Sequence, residues 1–488
     1  MTEVDIRNVR LEKLEKLIEK GINPYPSSAK RTHIISEVIK DFAKLSKDKK
    51  EVTLVGRIMS ERGHGKASFY DIKDGSGSIQ LYIKQDKVGK ENYDNLSLID
   101  LGDFLQVSGL LFVTHKGEKT LEVSSYKLLA KSLLPLPTTW YGLKDIETRY
   151  RKRYLDFLLN EDVKEKMVIR SKVISEVRNY LQNAGFLEMQ MPALEIDPTG
   201  AAARPFKTHY NAYDIDVYLR ICIGELWQKR VIVGGFEKTF EIGRAFRNEG
   251  VDREHNPDFL MCEFYWAYAD YNDLMDFTEK LISTVVKEVK GSYEIEYQGE
   301  KINFKPPYPR LSFKDLLKKK VNLDIHKYPT RELLAEELKI RKFKFKKSDS
   351  RGTLIDEYYK ETIRPAIKDP IFLIDHPLEI SPLAKKSEKD PRVVQRAQLV
   401  AIGAEITNGY SELNNPIDQQ ERFIEQVKLL KAGDEEAQRI DESYVEAMEY
   451  GMPPIAGQGV GMDRLIMIIT DSATIRESIP FPFMKSKE

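Results

Sequence analysis

Three short segments carry side chains whose types and spacing could do chemistry. The run FEIGRAFRNEGVDREHNPDFLMCEFY, residues 240–265, ends a β-rich stretch in Arg247, Asn248, Glu249 and Gly250, crosses a polar loop, and resumes as a strand. Such a hairpin gathers Arg247, Glu249, His255, Asn256 and Phe259. A guanidinium binds phosphate or carboxylate bidentately, and Phe259 offers a stacking surface for a base. The same residues also fit a solvated hairpin with ordinary, weak surface ion pairs. The second segment is EITNGYSELN, residues 405–414. Alternation places Glu405 and Asn408 differently from Tyr410 and Glu412. Its carboxylates could hold a divalent ion or a cationic ligand, or simply be acidic positions of an exposed strand. The third is GQGVGMDRLIM, residues 457–467, where Gly457, Gly459 and Gly461 let the backbone pass close to a partner and Arg464 starts a helix. It sits too near the C-terminus for a dinucleotide-binding fold, and a tight strand-to-helix packing turn explains it equally well. Nearer the front, Arg62, Phe69 and Gln80 suit splayed single-stranded bases on a barrel face, unless Phe69 belongs to the core.

The elements that must position these residues fall into two regions. Val9, Leu11, Leu14, Leu17 and Ile18 recur at helical spacing before Gly21 and Pro24, and a second helix is expected over 34–43. From Glu51 five β-rich runs follow in about 80 residues, with turn signals at Arg62-Gly63, Asp74-Gly75 and Lys116-Gly117, which predicts a small OB-type barrel. The segment LLPLPTTWYG reads as a linker. Beyond it come an amphipathic helix over 163–183, strands at 239–244 and 261–268, and a helix over 274–289. Residues 310–370 read helical and Lys-rich. A strand near 399–406 and helices near 418–430 and 443–450 complete the pattern. The expected division is an N-terminal barrel domain at 1–135, a linker at 136–150 and a second domain at 151–488. The overall class is α+β.

Composition narrows the function. The 488 residues hold 77 Lys+Arg and 77 Asp+Glu, so the net charge is zero. A hydrophobic content of 41% excludes disorder, and two cysteines, Cys222 and Cys262, exclude a disulfide framework or a Cys-rich zinc site. No apolar run reaches membrane-span length and the first twenty residues are too charged for a signal peptide, which predicts a cytoplasmic globular protein without a membrane partner. Neutrality hides an asymmetry. Residues 1–135 carry 23 basic against 19 acidic side chains, and the rest carry 54 against 58. Within the rest, 314–347 is itself strongly basic, with 12 against 5. A basic front end and an acidic body suggest two kinds of partner.

Taken together, these segments resemble the class II aminoacyl-tRNA synthetases, specifically the lysyl-tRNA synthetase family, over nearly the whole chain. The helix leading to MQMPAL, with Pro192, looks like motif 1, FRNEG with HNPDF like motif 2, and GVGMDR like motif 3. KASFYDIKDGSGSIQ, RYRKRYLD, GAAARPF, YADY, NGYSELNNPIDQ and EYGMPP also match. The resemblance implies an OB-fold anticodon-binding domain and a catalytic domain whose mainly antiparallel sheet is flanked by helices. It implies lysine and ATP as substrates, Mg²⁺, tRNA(Lys) as partner, and a homodimer built through motif 1.

Site roles follow from the same resemblance. Arg247 would bridge the lysine carboxylate and the α-phosphate, and Arg464 and Phe259 would sandwich adenine, so Arg247 and Arg464 are the expected catalytic pair. Glu249 and Asn256 would hold the nucleotide and His255 its outer phosphates. Glu405 would bind Mg²⁺. Gly200 and Glu225 would hold the lysine α-amino end and Asn408 the carboxylate end. Glu263 and Glu412 would grip the ε-ammonium, enclosed by Tyr265 and Tyr410; two carboxylates for one buried ammonium suit a cation whose desolvation is large. Arg62, Phe69, Gln80 and Glu118 match anticodon-reading positions.

Three departures stand out. The family's second metal-binding Glu is Gln398 here, which lowers the charge available to a metal. Its Gly-Gly before Ala is Thr199-Gly200, and RICIGELWQKR is one residue longer than usual. Two other readings share the scaffold: an enzyme lysylating a protein, which generally lacks the barrel, and a catalytically silent homologue, against which Arg247, Glu249, Glu405 and Arg464 stand. Aspartate or asparagine specificity would call for cationic or amide groups in place of Glu263 and Glu412.

Overall fold

A computed structural model describes residues 2–64, 66–137, 143, 145–201, 203–431 and 439–486. Met1–Gly142 and Leu143–Glu488 form separate compact units. The expected linker therefore lies partly outside the described residues, and its last part, from Ile146, is helical.

In the first unit, strands β1 (Val52–His64), β2 (Ala67–Lys73), β3 (Ser78–Lys84), β4 (Phe104–Val113) and β5 (Lys119–Ala130) close into a barrel of order β1-β2-β3-β5-β4. Strict alternation drives it. In β2 and β3, Tyr70, Ile72, Ile79, Leu81 and Ile83 point inward and are buried. Each buried aliphatic contributes roughly 1.5–3 kcal/mol by leaving water, so a one-residue slip would be costly and the register is well specified. Phe69, Asp71, Gln80 and Tyr82 consequently face outward, so Phe69 is not a core residue.

Three local expectations are corrected here. Arg62-Gly63 is not a turn, because β1 continues to His64. The single helix over 34–43 is two short ones, Ile35–Lys40 and Phe42–Lys47, broken at Asp41. The N-terminal helix, Glu3–Glu19, buries Leu17 but leaves Val9 and Ile18 exposed. Part of its anchoring is polar: the Arg10 guanidinium donates to the carbonyls of Ser132 (3.0 Å) and Leu134 (2.9 Å).

The second unit begins its strands with β6 (Leu187–Glu188), β7 (Leu194–Glu195), β8 (Lys207–Tyr210), β9 (Ile215–Leu219), β10 (Lys238–Phe246) and β11 (Asp258–Ala267). A small hairpin, β12 (Glu294–Tyr297) and β13 (Glu300–Asn303), precedes β14 (Arg310–Ser312), β15 (Ile371–Pro377), β16 (Val393–Ala401), β17 (Ala404–Ser411) and β18 (Ile455–Val460). Eight of these make one sheet, ordered β14-β15-β16-β17-β18-β11-β10-β6 and antiparallel except at its two ends. Helices Glu161–Asn183, Tyr271–Lys290 and Met462–Ile469 contribute Val177, Leu181, Leu281, Ile282, Val285 and Leu465 to the core they share with it. The mixed α+β architecture is the one expected.

The strand expected at 399–406 is instead the bend of a hairpin. Ile402 (φ +58°) and Gly403 (φ +69°) make a two-residue turn between β16 and β17. Positive φ at both central positions suits such a turn, and an apolar Ile there gives no turn signal. The Lys-rich region holds helices Phe313–Val321, Arg331–Ile340 and Arg351–Thr362 around their own core of Phe313, Leu317, Leu334, Leu338, Leu354 and Tyr359. Its lysines 318–320 lie on the solvated side.

Candidate active site

One face of the central strands lines a cleft of about 850 Å³, within the size range of small-molecule sites. The pleat explains which residues reach it. On β11, period two brings Phe259, Glu263 and Tyr265 to the cleft face. On β18, Gly457 lies in register between Tyr265 and Tyr410, and Gly459 between Glu263 and Asn408. The glycine alternation is therefore a bare floor on the cleft side. A Cβ on Gly457 would lie 2.1 Å from Glu412 Oε1 and 2.5 Å from Tyr265 Cε1, so only glycine fits. Gly200 (φ +96°) is similarly constrained, its missing Cβ lying 2.8 Å from Cys222 Sγ and 3.1 Å from Glu225 Cβ.

The expected separation of Glu405 and Asn408 from Tyr410 and Glu412 is corrected. All four line the cleft. Asn408, Tyr410 and Glu412 share a face by period two. Between Leu399↔Thr407 and Val400↔Glu405 the ladder shifts, so Ile406 is an extra residue that rotates Glu405 onto the same side.

At one end of the cleft, three carboxylates and several tyrosines converge. Glu263 accepts from the Ile223 N–H (2.9 Å) and the Tyr265 hydroxyl (3.2 Å). Burial, reinforced by the charge of Glu225, pushes its carboxyl up to about 7. Burial likewise holds Glu412 well above the usual carboxylate range, against the pull of Lys229. The Tyr410 hydroxyl donates to Glu225. Burial and these carboxylates raise the Tyr265 and Tyr410 phenols far above their ordinary value. Lys229, which sequence reasoning missed, lies among them, with Nζ 2.8 Å from Glu225 Oε1 and in ion-pair contact with Glu412.

At the other end, the Arg247 guanidinium lies 5.1 Å from the centre of the Phe259 ring, and its Nε donates to the Ile221 carbonyl (3.2 Å). Arg464 donates to the Glu405 carbonyl (3.1 Å) and lies 3.0 Å from His255 Nε2, while Asp252 holds the other ring nitrogen at 2.8 Å. The Arg204 N–H donates to Glu249 (3.2 Å). Asn256 donates to the Asp258 carbonyl (2.6 Å), and its own oxygen is buried without a hydrogen-bond partner. Arg396, also missed, donates to Asn408 Oδ1 (2.8 Å) and fixes which way that amide faces. The strand holding Phe259 starts three residues earlier than expected, so Phe259 sits in register with Ala245 rather than in the loop.

Among the described residues no three His, Cys, Asp or Glu side chains gather as a metal site. Gln398 and Glu405 face each other across the β16–β17 hairpin, and the Gln398 amide donates to Glu405 Oε2. One carboxylate oxygen beside an amide fits Mg²⁺, which commonly takes one or two carboxylates and draws its other ligands from water and phosphates.

On the barrel, Arg62 pairs in register with Phe69 and lies 3.3 Å from Asp71. Phe69 stacks on Tyr82, with ring centres 4.6 Å apart, and Phe112 follows at 5.9 Å. Gln80 Oε1 accepts from the Thr120 hydroxyl (2.9 Å), and exposed Glu118 lies two residues before Thr120. Tyr82 was legible in the sequence, two positions from Gln80 in an alternating strand.

A mainly antiparallel sheet with a glycine floor, an Arg–aromatic pair at one end and a carboxylate cage at the other defines a class. A family model for tRNA synthetases class II (D, K and N) matches residues 145–485, and one for the OB-fold nucleic acid binding domain of the anticodon type matches 52–129. The chain belongs to the class II tRNA synthetases of this group. Within it, the chain is similar to lysine–tRNA ligases. That of Pelotomaculum thermopropionicum is 48% identical over 486 residues, covering 99% of this chain and 96% of that protein. The Bacillus subtilis lysine–tRNA ligase is 45% identical over 488 residues, covering 99% and 98%. No helix among the described residues is long and apolar enough to cross a membrane.

Proposed function

We propose that the protein activates L-lysine with ATP and transfers the lysyl group to the 3′-end of tRNA(Lys). The carrying observation is the buried carboxylate cage of Glu225, Glu263 and Glu412, which can compensate ammonium groups. Glu263 and Glu412 take the ε-ammonium between Tyr265 and Tyr410. Glu225 and the backbone at Gly200 take the α-amino group, and Asn408 the carboxylate side. Arg247 reaches from the carboxylate to the α-phosphate.

In the first step a lysine carboxylate oxygen attacks the α-phosphorus, and the bond to the β-phosphate oxygen breaks to release pyrophosphate. In the second, a terminal ribose hydroxyl attacks the lysyl carbonyl and AMP leaves. The residues orient these groups and stabilise growing charge, and neither step needs a nucleophile from the protein. Phe259 and Arg464 hold adenine, Glu249 and Asn256 the nucleotide, and His255 the outer phosphates. Glu405, with Gln398 beside it, would hold Mg²⁺, whose charge neutralises the phosphates. The Arg62, Phe69, Gln80 and Glu118 face of the barrel reads anticodon bases by stacking and hydrogen bonding. The MQMPAL segment builds a homodimer, and the enzyme works in the cytoplasm.

Incubation with tRNA, ATP, Mg²⁺ and radiolabelled lysine tests this reading. Acid-precipitable lysyl-tRNA is expected, and its absence with competent tRNA(Lys) contradicts the reading.

A further inference from the structure

Lys229 is a fully buried cation behind the carboxylate end of the cleft, and the roles above give it no part. It stands one helical turn after Glu225 on the helix Glu225–Val233, so both side chains share a face. Its side chain is only 1% exposed. Three rings surround the ammonium, with centres 5.9 Å (Tyr265), 5.6 Å (Tyr410) and 5.9 Å (Tyr444) from Nζ. Together with Glu225 and Glu412 they form a complete ammonium cage, occupied by the protein's own lysine. An apolar side chain would be at least as stabilising at a purely structural site, because desolvating an ammonium is expensive.

The formal charges show what the lysine does. Three carboxylates, Glu225, Glu263 and Glu412, stand with Lys229 at this end and Arg247 stands at the other, so the groups that would face lysine along the cleft are together one negative charge from neutral. Lysine at neutral pH carries two ammoniums and one carboxylate, an excess of one positive charge. We propose that Lys229 is a resident counter-ion. It aligns Glu225 and Glu412, and it sets the pocket at a net charge complementary to an amino acid with one excess positive charge. The inference rests on lysine being the substrate.

The surroundings support this division. Burial alone would lower the Lys229 ammonium, but the Glu225 and Glu412 charges outweigh it and hold it protonated. Glu263 has backbone and phenol donors but, among the described residues, no cation in direct contact, with the Arg247 charge only helping from a distance. Of the three carboxylates it is the one that does not already touch Lys229, and until an ammonium arrives a proton can serve there. Cys222 and Glu195 lie close enough to feel the same carboxylates, and Arg230 and Arg396 face Tyr444 and Tyr410 from outside.

The test is Lys229→Met, near in shape but uncharged, assayed by lysine-dependent ATP–pyrophosphate exchange between pH 6 and 9. Lysine KM is expected to rise about tenfold or more while ATP KM stays within about twofold. The acidic limb of kcat/KM for lysine should move up by about one pH unit, because the carboxylates lose a cation and keep protons longer. Equal rises in both KM values, or an unmoved acidic limb, overturn the proposal. Should the single variant not fold, Glu225→Gln/Lys229→Met keeps the formal charge. Its acidic limb should return to that of the wild type even though lysine KM stays high, and a displaced limb counts against the charge account. Absence of exchange in the wild type would sink the substrate reading instead, whereas normal wild-type exchange with unmoved variants sinks only this inference.

Discussion

Gly457→Ala is the most searching perturbation of the lysine end. The new methyl carbon would lie 2.1 Å from Glu412 Oε1 and 2.5 Å from a Tyr265 ring carbon. Both are more than about 1 Å inside ordinary contact distances for such atoms. Neither neighbour can swing into solvent: Glu412 and Tyr265 are buried, and Glu412 is tied to Lys229. Gly457 is itself held in the ladder between β11 and β17. Overpacking of this kind costs about 1–3 kcal/mol. If the lysine end bears it, lysine KM rises roughly 5- to 150-fold. The nucleotide end, at Phe259, Arg247 and Arg464, is untouched, so ATP KM should stay within about twofold. Lysine-dependent exchange at varied lysine and at varied ATP separates the two constants, with the melting temperature recorded alongside. An unchanged lysine KM in a folded variant, or parallel rises in both constants, would refute the placement of the ammonium site beside Gly457.

Three further outcomes follow from the geometry. Glu263 is a carboxyl that burial holds near 7, so it is protonated below that pH and must lose its proton to receive an ammonium. As pH falls below about 7, kcat/KM for lysine should drop about tenfold per unit while ATP KM stays flat, and a flat lysine profile down to pH 5.5 would contradict this. Phe69→Ala removes the outer-face aromatic stacked on Tyr82 and should reduce tRNA charging by the loss of about 1–3 kcal/mol of base stacking, with exchange unaffected; equal losses in both assays argue against that division of labour. Gln398→Glu sets two carboxylates against each other across the hairpin. In chelator the variant should melt below the wild type, and added Mg²⁺ should raise its melting temperature more than the wild type's; identical shifts in the two proteins would count against a metal at Glu405.

Much of this was legible in the sequence because it follows from period two. Alternation in ASFYDIKD and SIQLYIK places Phe69 and Gln80 on one barrel face, and the spacing of Gly457 and Gly459 marks one side of a strand. What escaped depends on tertiary context. Lys229 lies four residues after Glu225, a spacing that ordinarily signals an exposed helical ion pair; only packing beneath Tyr410, Tyr265 and Tyr444 makes it buried. The ladder shift that rotates Glu405 leaves no mark in EITNGYS, and the turn at Ile402 hides behind an apolar residue. The charge asymmetry of the sequence also acquires a location, since Glu225, Glu263 and Glu412 of the acidic body converge on one cleft.

On the function proposed, a buried cage of carboxylates, working with Arg247, selects and activates lysine. ATP–pyrophosphate exchange by the purified protein, run separately with each of the twenty amino acids at saturating ATP and Mg²⁺, tests it most directly. Exchange is expected with lysine and at background level with aspartate, asparagine and the neutral amino acids. Exchange driven by aspartate or asparagine, or none with lysine, would contradict it.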